Sequence, residues 1–346
     1  MGRRKRKALA NEPGPDSAIT WLEHKRVSKD YRKALLRLYQ EFLMWLGTVG
    51  LEWNAILQDP TSVDHVLAHY MNYLFSRRSP FYRARLVVLA VQFTHPQIRF
   101  HLPRSWNCIA SWKAQVTWRP RTPWPWDLLM MFFLRCLSLA KEATNPLTAR
   151  FWYTIGCLVR LSFFALLRPA EMLGLSPGDI QIISEDDYDP VLVVAIVDPK
   201  NQRAEGAGRT QMATVHDLGT VRWMSWLINN WPQDVPLWPY GRAKFYRLFR
   251  QVLTDLRFQD LTLTLASGRS GGTTWYYRRG FSIEQLSFMG RWTAVSSLKS
   301  YVQEAASYMV WNKIPPAIQL FVRSRLKTYA RLLTTPPGRP WNNICS

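Results

Sequence analysis

The sequence predicts a mainly α-helical protein with a small antiparallel β-sheet, and two observations carry this prediction. Apolar residues recur at helical spacing over most of the chain, as in residues 28–46, where Leu35, Leu38 and Phe42 fall on one face. The period becomes strand-like only between residues 180 and 215, in three short runs separated by turn-forming residues. A chain of 346 residues is long enough for two domains, and we expect a helical domain followed by a larger one that holds the sheet.

Charge predicts the class of partner. The chain has 45 Lys and Arg against 24 Asp and Glu, a formal net charge of +21, with a pI near 10.2. So large a basic excess favours nucleic acid over a membrane surface; the alternative is an ordinary soluble basic protein. The most apolar helical segment, residues 148–167, is interrupted by Arg150 and Arg160, so we expect no membrane span.

The cysteines and the first residues of the chain indicate the cellular environment of the protein and the kinds of site it lacks. The four cysteines lack CxxC spacing, so we expect a reducing compartment and neither a metal site nor a disulfide framework. Residues 1–27 combine proline, glycine and charge and are predicted to be a disordered basic tail. The basic run at residues 3–7 is either a nuclear signal or phosphate-binding arm, or a solvated tail.

The first domain is predicted to be a helical bundle over residues 28–117. Ser28 is a candidate N-cap for its first helix, and Pro103 stands in the first turn of its fourth, where helices tolerate proline. The predicted helices span residues 28–46, 62–75, 80–93 and 103–116. Four arginines near the third helix are either phosphate contacts or an ordinary solvated face: Arg77, Arg78, Arg83 and Arg85.

A proline-rich linker is predicted over residues 118–125, because the run WRPRTPWPW, residues 118–126, contains three prolines and cannot continue a helix. The second domain is predicted over residues 126–310, and residues 311–346 are predicted to hold a C-terminal helix and tail. The predicted helices of the second domain span residues 126–143, 148–167, 217–230 and 242–257. The predicted C-terminal helix spans residues 317–333. Its predicted strands span residues 180–183, 190–197 and 211–215, and the loop before the third strand begins with Lys200.

Two stretches of the second domain carry residues suited to phosphate chemistry. In LLRPAEMLGL, Arg168 precedes Glu171 by three residues, with Pro169 in the first turn of a helix; this pattern alone is as typical of a cap with a surface ion pair. Residues 265–301 contain Arg269, a run of small residues, the tripeptide Gly-Arg-Trp ending at Trp292, and Tyr301. The spacing from Trp292 to Tyr301 is 301 − 292 = 9.

These motifs, in this order, resemble the catalytic domain of tyrosine recombinases, also called the phage integrase family. The wording SGRSGGTTWYYRRG followed by GRW is most similar to the recombinases of DIRS-type retroelements. The resemblance implies a helical, SAM-like core-binding domain followed by a tyrosine-recombinase catalytic domain. It also implies double-stranded DNA as partner, a homotetramer on two DNA sites, and cleavage through a 3′-phosphotyrosyl intermediate that needs neither metal nor cofactor.

The resemblance assigns a role to each matching residue. Tyr301 is implied to be the nucleophile, and Arg168 and Arg269 to clamp the phosphate, which suits the planar two-pronged guanidinium group. Lys200 is implied to protonate the leaving 5′ oxygen, with Arg203 and Arg209 as less favoured alternatives. The remaining implied site residues are Trp292, packed against the site and donating its indole N–H, Glu171, orienting its neighbours, and the DNA contacts Arg119, Arg121 and Arg291.

One position departs from the family. The family has a histidine three residues before its second arginine, and this chain has Ala266 there. A protein that binds DNA without cleaving it is therefore an alternative, as is a type IB topoisomerase or a telomere resolvase. The resemblance further implies a mobile element, a nuclear location or a prokaryotic nucleoid, and docking of the C-terminal segment on a neighbouring protomer.

Overall fold

The computed structural model describes residues 27, 29–116, 122–184, 188–197, 210–229 and 231–337. Contacts divide them into two compact units, one within the described residues up to 116 and one within those from 122 onward. The predicted basic tail up to residue 26, the first half of the predicted linker and the loop with Lys200 at its start lie outside the described residues. None of the helices in the described ranges combines the length and hydropathy that a membrane crossing requires.

The first unit is a bundle of helices around an apolar core. Phe42 is fully buried in this core, together with Val63, Leu67 and Val87, and these residues come from three different helices. The helices of this unit are α1 (Lys29–Thr48), α2 (Trp53–Ile56), α3 (Pro60–Ser76), α4 (Phe81–Thr94) and α5 (Pro103–Gln115). The short α2 was not predicted, since four residues are too few to show a helical period.

Carboxylates cap two of these helices. Asp59 accepts hydrogen bonds from the backbone N–H groups of Thr61 and Ser62 at the start of α3, at 3.0 and 2.9 Å. Asp64, within α3, is buried yet accepts from the N–H groups of Arg104 and Ser105 at 2.8 and 2.7 Å. The buried carboxylate therefore caps the neighbouring α5 and has its charge compensated by that helix end.

The second unit contains most of the helices and the sheet. Two of its helices, α6 and α7, are largely buried and form the centre of its core. Its elements are α6 (Trp126–Glu142), α7 (Pro146–Phe164), α8 (Pro169–Leu173), β1 (Ile180–Ile183), β2 (Val191–Val197), β3 (Thr210–Val215), α9 (Leu218–Ile228), α10 (Arg242–Asp255), α11 (Ser267–Tyr277), α12 (Ile283–Gly290), α13 (Val295–Lys299), α14 (Glu304–Asn312), α15 (Pro316–Thr328) and α16 (Ala330–Thr334).

The sheet is antiparallel, with strand order β1-β2-β3. Leu192, Val194 and Ile196 of β2 alternate along the strand and are buried against the helices, as the period-two pattern requires. The predicted fold class, mainly α with a small antiparallel sheet, is confirmed. The last predicted helix, residues 317–333, is instead two helices that meet at Tyr329, a break that no proline or glycine marks in the sequence.

Glycines allow α11 to lie deep in the second unit. A Cβ on Gly271 would collide with the backbone of Trp124, and one on Gly272 would collide with the Phe163 carbonyl near the end of α7. The small-residue run is therefore a packing requirement, because larger side chains would push α11 away from both neighbours. This packing brings Arg269, near the start of α11, against the end of α7.

Candidate active site

Tyr301 follows α13 and lies beside Trp292. Their ring centroids are 5.1 Å apart, with the planes inclined at 58°. Trp292 follows the end of α12, where its ring covers the Cα of Gly290 so closely that a Cβ there would overlap the indole. The glycine of the Gly-Arg-Trp tripeptide is thus required by the tryptophan that packs against it.

The backbone of Tyr301 is fixed to α11. The Thr274 hydroxyl donates to the Ser270 carbonyl at 2.8 Å and shares its proton with the Tyr301 carbonyl at 3.2 Å, and the same hydroxyl oxygen accepts the Gln303 N–H at 3.1 Å. The Tyr301 N–H donates to the Leu298 carbonyl at 2.7 Å. The side chain itself is half-buried, so its position is set by the backbone on both sides while part of it stays accessible.

Arg269 lies beneath the two rings. Its side chain is only 1% exposed, and its guanidinium carbon lies 4.1 Å from the Trp292 ring centroid and 5.5 Å from that of Tyr301. It donates to the Leu166 carbonyl at 2.6 Å and to the Gly290 carbonyl. A cation held against an indole face gains from the ring quadrupole, and Arg269, Trp292 and Tyr301 each contact the other two.

The end of α7 explains why arginines gather here. The last carbonyls of a helix have no partner within it and carry partial negative charge. Arg291 donates to the carbonyls of Ala165 and Leu166 at 3.3 and 3.2 Å, and Arg269 shares the Leu166 carbonyl. The left-handed backbone of Leu166, with φ of 50°, turns the chain away from α7 and leaves these carbonyls to the guanidinium groups.

Glu171 joins the arginines. It accepts the Arg168 backbone N–H at 2.8 Å and the Arg168 guanidinium at 2.6 Å, and it pairs with Arg291 at 3.1 Å. Burial raises the pKa of this carboxyl, but the Arg291 charge and the bonds from Arg168 outweigh it and hold the pKa below its ordinary value. Glu171 therefore remains ionised and fixes two arginines at once.

The cluster carries an excess of positive charge. Among the described residues, the cluster has one carboxylate, that of Glu171, and three arginines, Arg168, Arg269 and Arg291, which gives +3 − 1 = +2. Burial, and then the charges of the other two arginines, hold the pKa of Arg269 well below its usual range. The Arg269 Nε is buried and has no hydrogen-bond partner. An unsatisfied donor in a positively charged cluster is suited to an anion.

Arg291 was predicted from the sequence as a DNA contact, and the structure gives it a different environment. Its side chain is 5% exposed and is held by Glu171 and by the end of α7. It adopts a left-handed backbone, with φ of 57°, at the C-cap of α12, where glycine is favoured. In this conformation its guanidinium group holds Glu171 in place, and its contact with DNA stays a prediction.

The other predicted residues fall into two groups. Arg77, Arg78 and Arg85 are exposed at the end of α3 and the start of α4, while Arg83 is half-buried and paired with Glu41. Ala266 is the N-cap residue of α11, three residues before Arg269. The predicted residues that lie outside the described residues are Lys200, Arg203, Arg209, Arg119 and Arg121.

Metal binding has no candidate among the described residues, which hold no group of three or more His, Cys, Asp and Glu side chains arranged as ligands. The sequence reasoning missed the roles of Thr274 and Gly290 at the site. Gly290 was visible in the tripeptide, but its packing against Trp292 required coordinates.

Comparison with known proteins gives structural matches only. No protein-family model matches the chain. No curated protein matches it either. Among solved structures, the Tn1549 transposon integrase in complex with circular intermediate DNA matches with a TM-score of 0.46 and 11% identity over 79% of this chain and 98% of that chain.

Two further solved structures are similar to this chain. The XerH site-specific recombinase bound to its difH substrate matches with a TM-score of 0.41 and 10% identity over 70% of this chain and 76% of that chain. The XerA recombinase matches with a TM-score of 0.39 and 11% identity over 89% of this chain and 94% of that chain. These proteins are recombinases and an integrase, the kind of protein that the sequence motifs resemble. At these scores and identities, we argue the function from the residues of the site.

Proposed function

We propose that this protein is a site-specific DNA recombinase or integrase that cleaves and rejoins DNA through a 3′-phosphotyrosyl intermediate. The observation that carries this proposal is the contact of Tyr301 and Trp292 with Arg269, whose buried Nε has no hydrogen-bond partner, in a cluster with an excess charge of +2 among the described residues. A half-buried tyrosine beside guanidinium donors combines a nucleophile with a binding site for the anion it would attack.

Arg168 and Arg269 would hold the phosphate from different depths. The Arg168 side chain is 19% exposed and is the more accessible of the two, while the Arg269 Nε lies buried without a partner. A phosphodiester resists attack because its oxygens are negatively charged, and fixed guanidinium donors offset that charge as it grows in the transition state. Glu171 and Arg291 would keep Arg168 in place without touching the substrate.

The reaction would conserve bond energy. The Tyr301 oxygen attacks phosphorus, the bond to the 5′ oxygen breaks, and the leaving oxygen takes a proton, a role we assign to Lys200. A 5′ hydroxyl, from the same or another strand, then attacks the phosphotyrosyl ester and releases Tyr301. Cleavage and rejoining are thus the same step in opposite directions, and no metal or nucleotide cofactor is needed.

The hydroxyl proton of Tyr301 needs an acceptor when the oxygen attacks phosphorus. A general base typically contributes about 10²- to 10⁴-fold in rate, and Ala266 stands where the resemblance places a histidine. We therefore expect slow cleavage that accelerates as the pH rises, because hydroxide and water replace the missing side chain.

A second candidate function is DNA binding without cleavage. Two observations favour it: Ala266, and the engagement of the Arg269 guanidinium by two backbone carbonyls. A type IB topoisomerase is a further alternative, which relaxation of supercoiled DNA by a monomer would distinguish from recombination.

In the recombinase proposal, double-stranded DNA is the partner and a homotetramer on two sites is the active assembly. The protein belongs to a mobile element and acts in a nucleus or nucleoid.

The test is formation of a covalent adduct. Duplexes enriched by binding selection from a random-sequence pool would be rebuilt with nicks near the centre of the selected motif, so that the cleaved fragment diffuses away and traps the protein. The products would be separated on a denaturing gel. We expect an adduct that survives boiling in detergent and is absent in Tyr301→Phe.

The matched control is Tyr188→Phe, which removes one hydroxyl from a tyrosine that is 74% exposed in the same unit. It should form the adduct at the wild-type rate. An adduct that persists in Tyr301→Phe would show that another residue is the nucleophile. Selective binding without any adduct on every nicked position would favour the DNA-binding protein.

A further inference from the structure

A second concave site lies on the side of α11 that faces away from Arg269. It encloses about 280 Å³ and is lined by residues of α11 and by the residues at and before the start of α6. At 100° per residue, Gly271, Trp275 and Arg278 lie roughly opposite Arg269 around the axis of α11. The pocket is therefore separate from the arginine cluster that surrounds Glu171.

Two adjacent guanidinium groups line this pocket, and both rest on aromatic rings. The Arg279 guanidinium carbon lies 3.5 Å from the Trp275 ring centroid, and that of Arg278 lies 4.3 Å from the Tyr308 ring centroid. Stacking on a ring restricts a long flexible side chain, so less entropy is lost when it binds an anion. Burial, and then the Arg278 charge, lower the pKa of Arg279, so an anion would relieve the repulsion between the two groups.

The rest of the lining is aromatic and hydrogen-bonding. Trp126 and Trp275 are half-buried and contribute to the wall, and Trp275 is fixed by an edge-on contact with Phe164 at 5.3 Å. Asp127 also lines the pocket; burial raises the pKa of its carboxyl, against the charges of Arg323 and Arg278. The pocket thus offers cations, aromatic surface and a carboxylate acceptor, which is more than a simple anion requires.

We propose that this pocket binds one unpaired nucleotide of a DNA strand, with its phosphate on Arg278 and Arg279 and its base against the two indoles. Proteins that bind single strands combine a basic groove with aromatic side chains on which bases stack. Bases within a duplex already stack on each other, so an unpaired nucleotide fits this chemistry better. The proposal rests on the proposed function only in taking DNA as the source of the nucleotide.

The pocket also touches the residue that holds the nucleophile. Thr274 lines it, and its hydroxyl contacts the Tyr301 carbonyl at 3.2 Å and accepts the Gln303 N–H at 3.1 Å. A nucleotide that contacts Thr274 would therefore affect the position of the Tyr301 backbone. It would do so without binding in the arginine cluster.

The test compares two double substitutions that remove the same charge, one in the pocket and one elsewhere on the second unit. Arg278→Gln with Arg279→Gln removes the pocket cations, and Arg247→Gln with Arg250→Gln removes two exposed cations from α10. Binding of a labelled oligothymidylate and of a labelled duplex would be measured by fluorescence anisotropy at one salt concentration. Every protein would carry Tyr301→Phe, to prevent cleavage, and would be checked by thermal melting.

We expect the pocket pair to weaken oligothymidylate binding at least tenfold more than the α10 pair, and the two pairs to weaken duplex binding equally. Thymidine monophosphate should compete for the pocket better than inorganic phosphate and should raise the melting temperature of the protein with an intact pocket. Equal losses of oligothymidylate binding in the two pairs would overturn the proposal, because they indicate general electrostatics. Equal competition by phosphate would overturn it as well, since that outcome describes an anion site without base recognition.

These outcomes are independent of cleavage. If no adduct forms with any nicked duplex but the selective loss of oligothymidylate binding is observed, the recombinase proposal fails and the pocket stands. If adducts form and the two pairs of arginines behave alike, the pocket proposal fails and the recombinase stands.

Discussion

Two regions of the second unit bury arginines, and their charge balance differs. Arg160 in α7 is 3% exposed and donates from all three nitrogens, to Thr220 at 2.9 Å, to Asp217 at 2.7 Å and to the Leu333 carbonyl at 2.6 Å. One cation there faces one carboxylate. Around Glu171, two arginines pair with one carboxylate, and the Nε of the neighbouring Arg269 has no partner.

The comparison separates two uses of a buried charge. A buried ion needs an opposite charge and filled hydrogen bonds, otherwise its burial destabilises the fold. The Arg160 group meets both conditions within the chain and ties α7, α9 and the end of α16 together. Among the described residues the Arg269 Nε around Glu171 has no such partner, so we infer that this cluster binds an anion from outside the chain.

The largest expected effect is loss of stability on breaking the balanced group. Arg160→Met leaves Asp217 and the Leu333 carbonyl without their donor, and losing one member of a buried pair typically costs about 3–5 kcal/mol. The free energy of unfolding would be measured by urea titration. Arg135→Met is the control, because its pair with Asp255 is partly exposed and should contribute less than about 1 kcal/mol. Equal losses in the two variants would contradict the distinction between the groups.

The next largest effect is on catalysis. Arg269→Met should slow adduct formation by about 10²- to 10³-fold, the usual cost of removing one donor to transition-state charge. It should destabilise the fold less than Arg160→Met, because it also removes the repulsion between Arg269 and its two arginine neighbours. Urea titration and the adduct assay on the same preparation check both parts. A variant that unfolds as readily as Arg160→Met would show that Arg269 is a structural residue.

The sequence predicted the helices that carry the two groups of buried arginines, but not the contacts within the Arg160 group. Apolar periodicity predicted the long helices to within a few residues, since burial of one face is a local property of the pattern. Arg160 was visible as a charge within an apolar helix, but its partners lie 57 and 173 residues away. A single sequence contains no spacing rule that joins them.

The site was predictable only where the motif is local. Arg168 and Glu171 are three residues apart on one helix start, and their contact follows from that spacing. Arg291 was predicted only as a DNA contact, through the family resemblance. Its burial depends on a left-handed backbone and on carbonyls of α7 more than 120 residues earlier, at separations of 125 and 126.

A moderate effect is expected from the carboxylate that joins the arginines. Glu171→Gln removes the charge that offsets the cluster and should lower stability by about 1–3 kcal/mol at neutral pH. Because the folded-state pKa of Glu171 lies below its unfolded value, its contribution is present above about pH 4.5 and is lost as the pH falls through the folded pKa. Urea titrations from pH 7 downward should therefore show the two proteins converging in acid. A constant difference across that range would mean that the charge of Glu171 is not what stabilises the cluster.

The smallest effect is the most direct test of an external partner. A ligand that binds only the folded state stabilises it by RT ln(1 + [L]/Kd), about 1.4 kcal/mol at ten times Kd. Sulfate, which has the charge and shape of a phosphate group, should raise the melting temperature of the wild type and of Arg160→Met by the same increment. The increment should shrink in Arg269→Met, because the cluster has lost the charge and donor that attract the anion.

Sulfate also stabilises proteins generally by exclusion from their surface, and it can bind the arginines of the pocket. Both effects persist in Arg269→Met, so only the part of the increment lost there belongs to the cluster. If nothing is lost, the positive excess around Glu171 is already compensated within the chain.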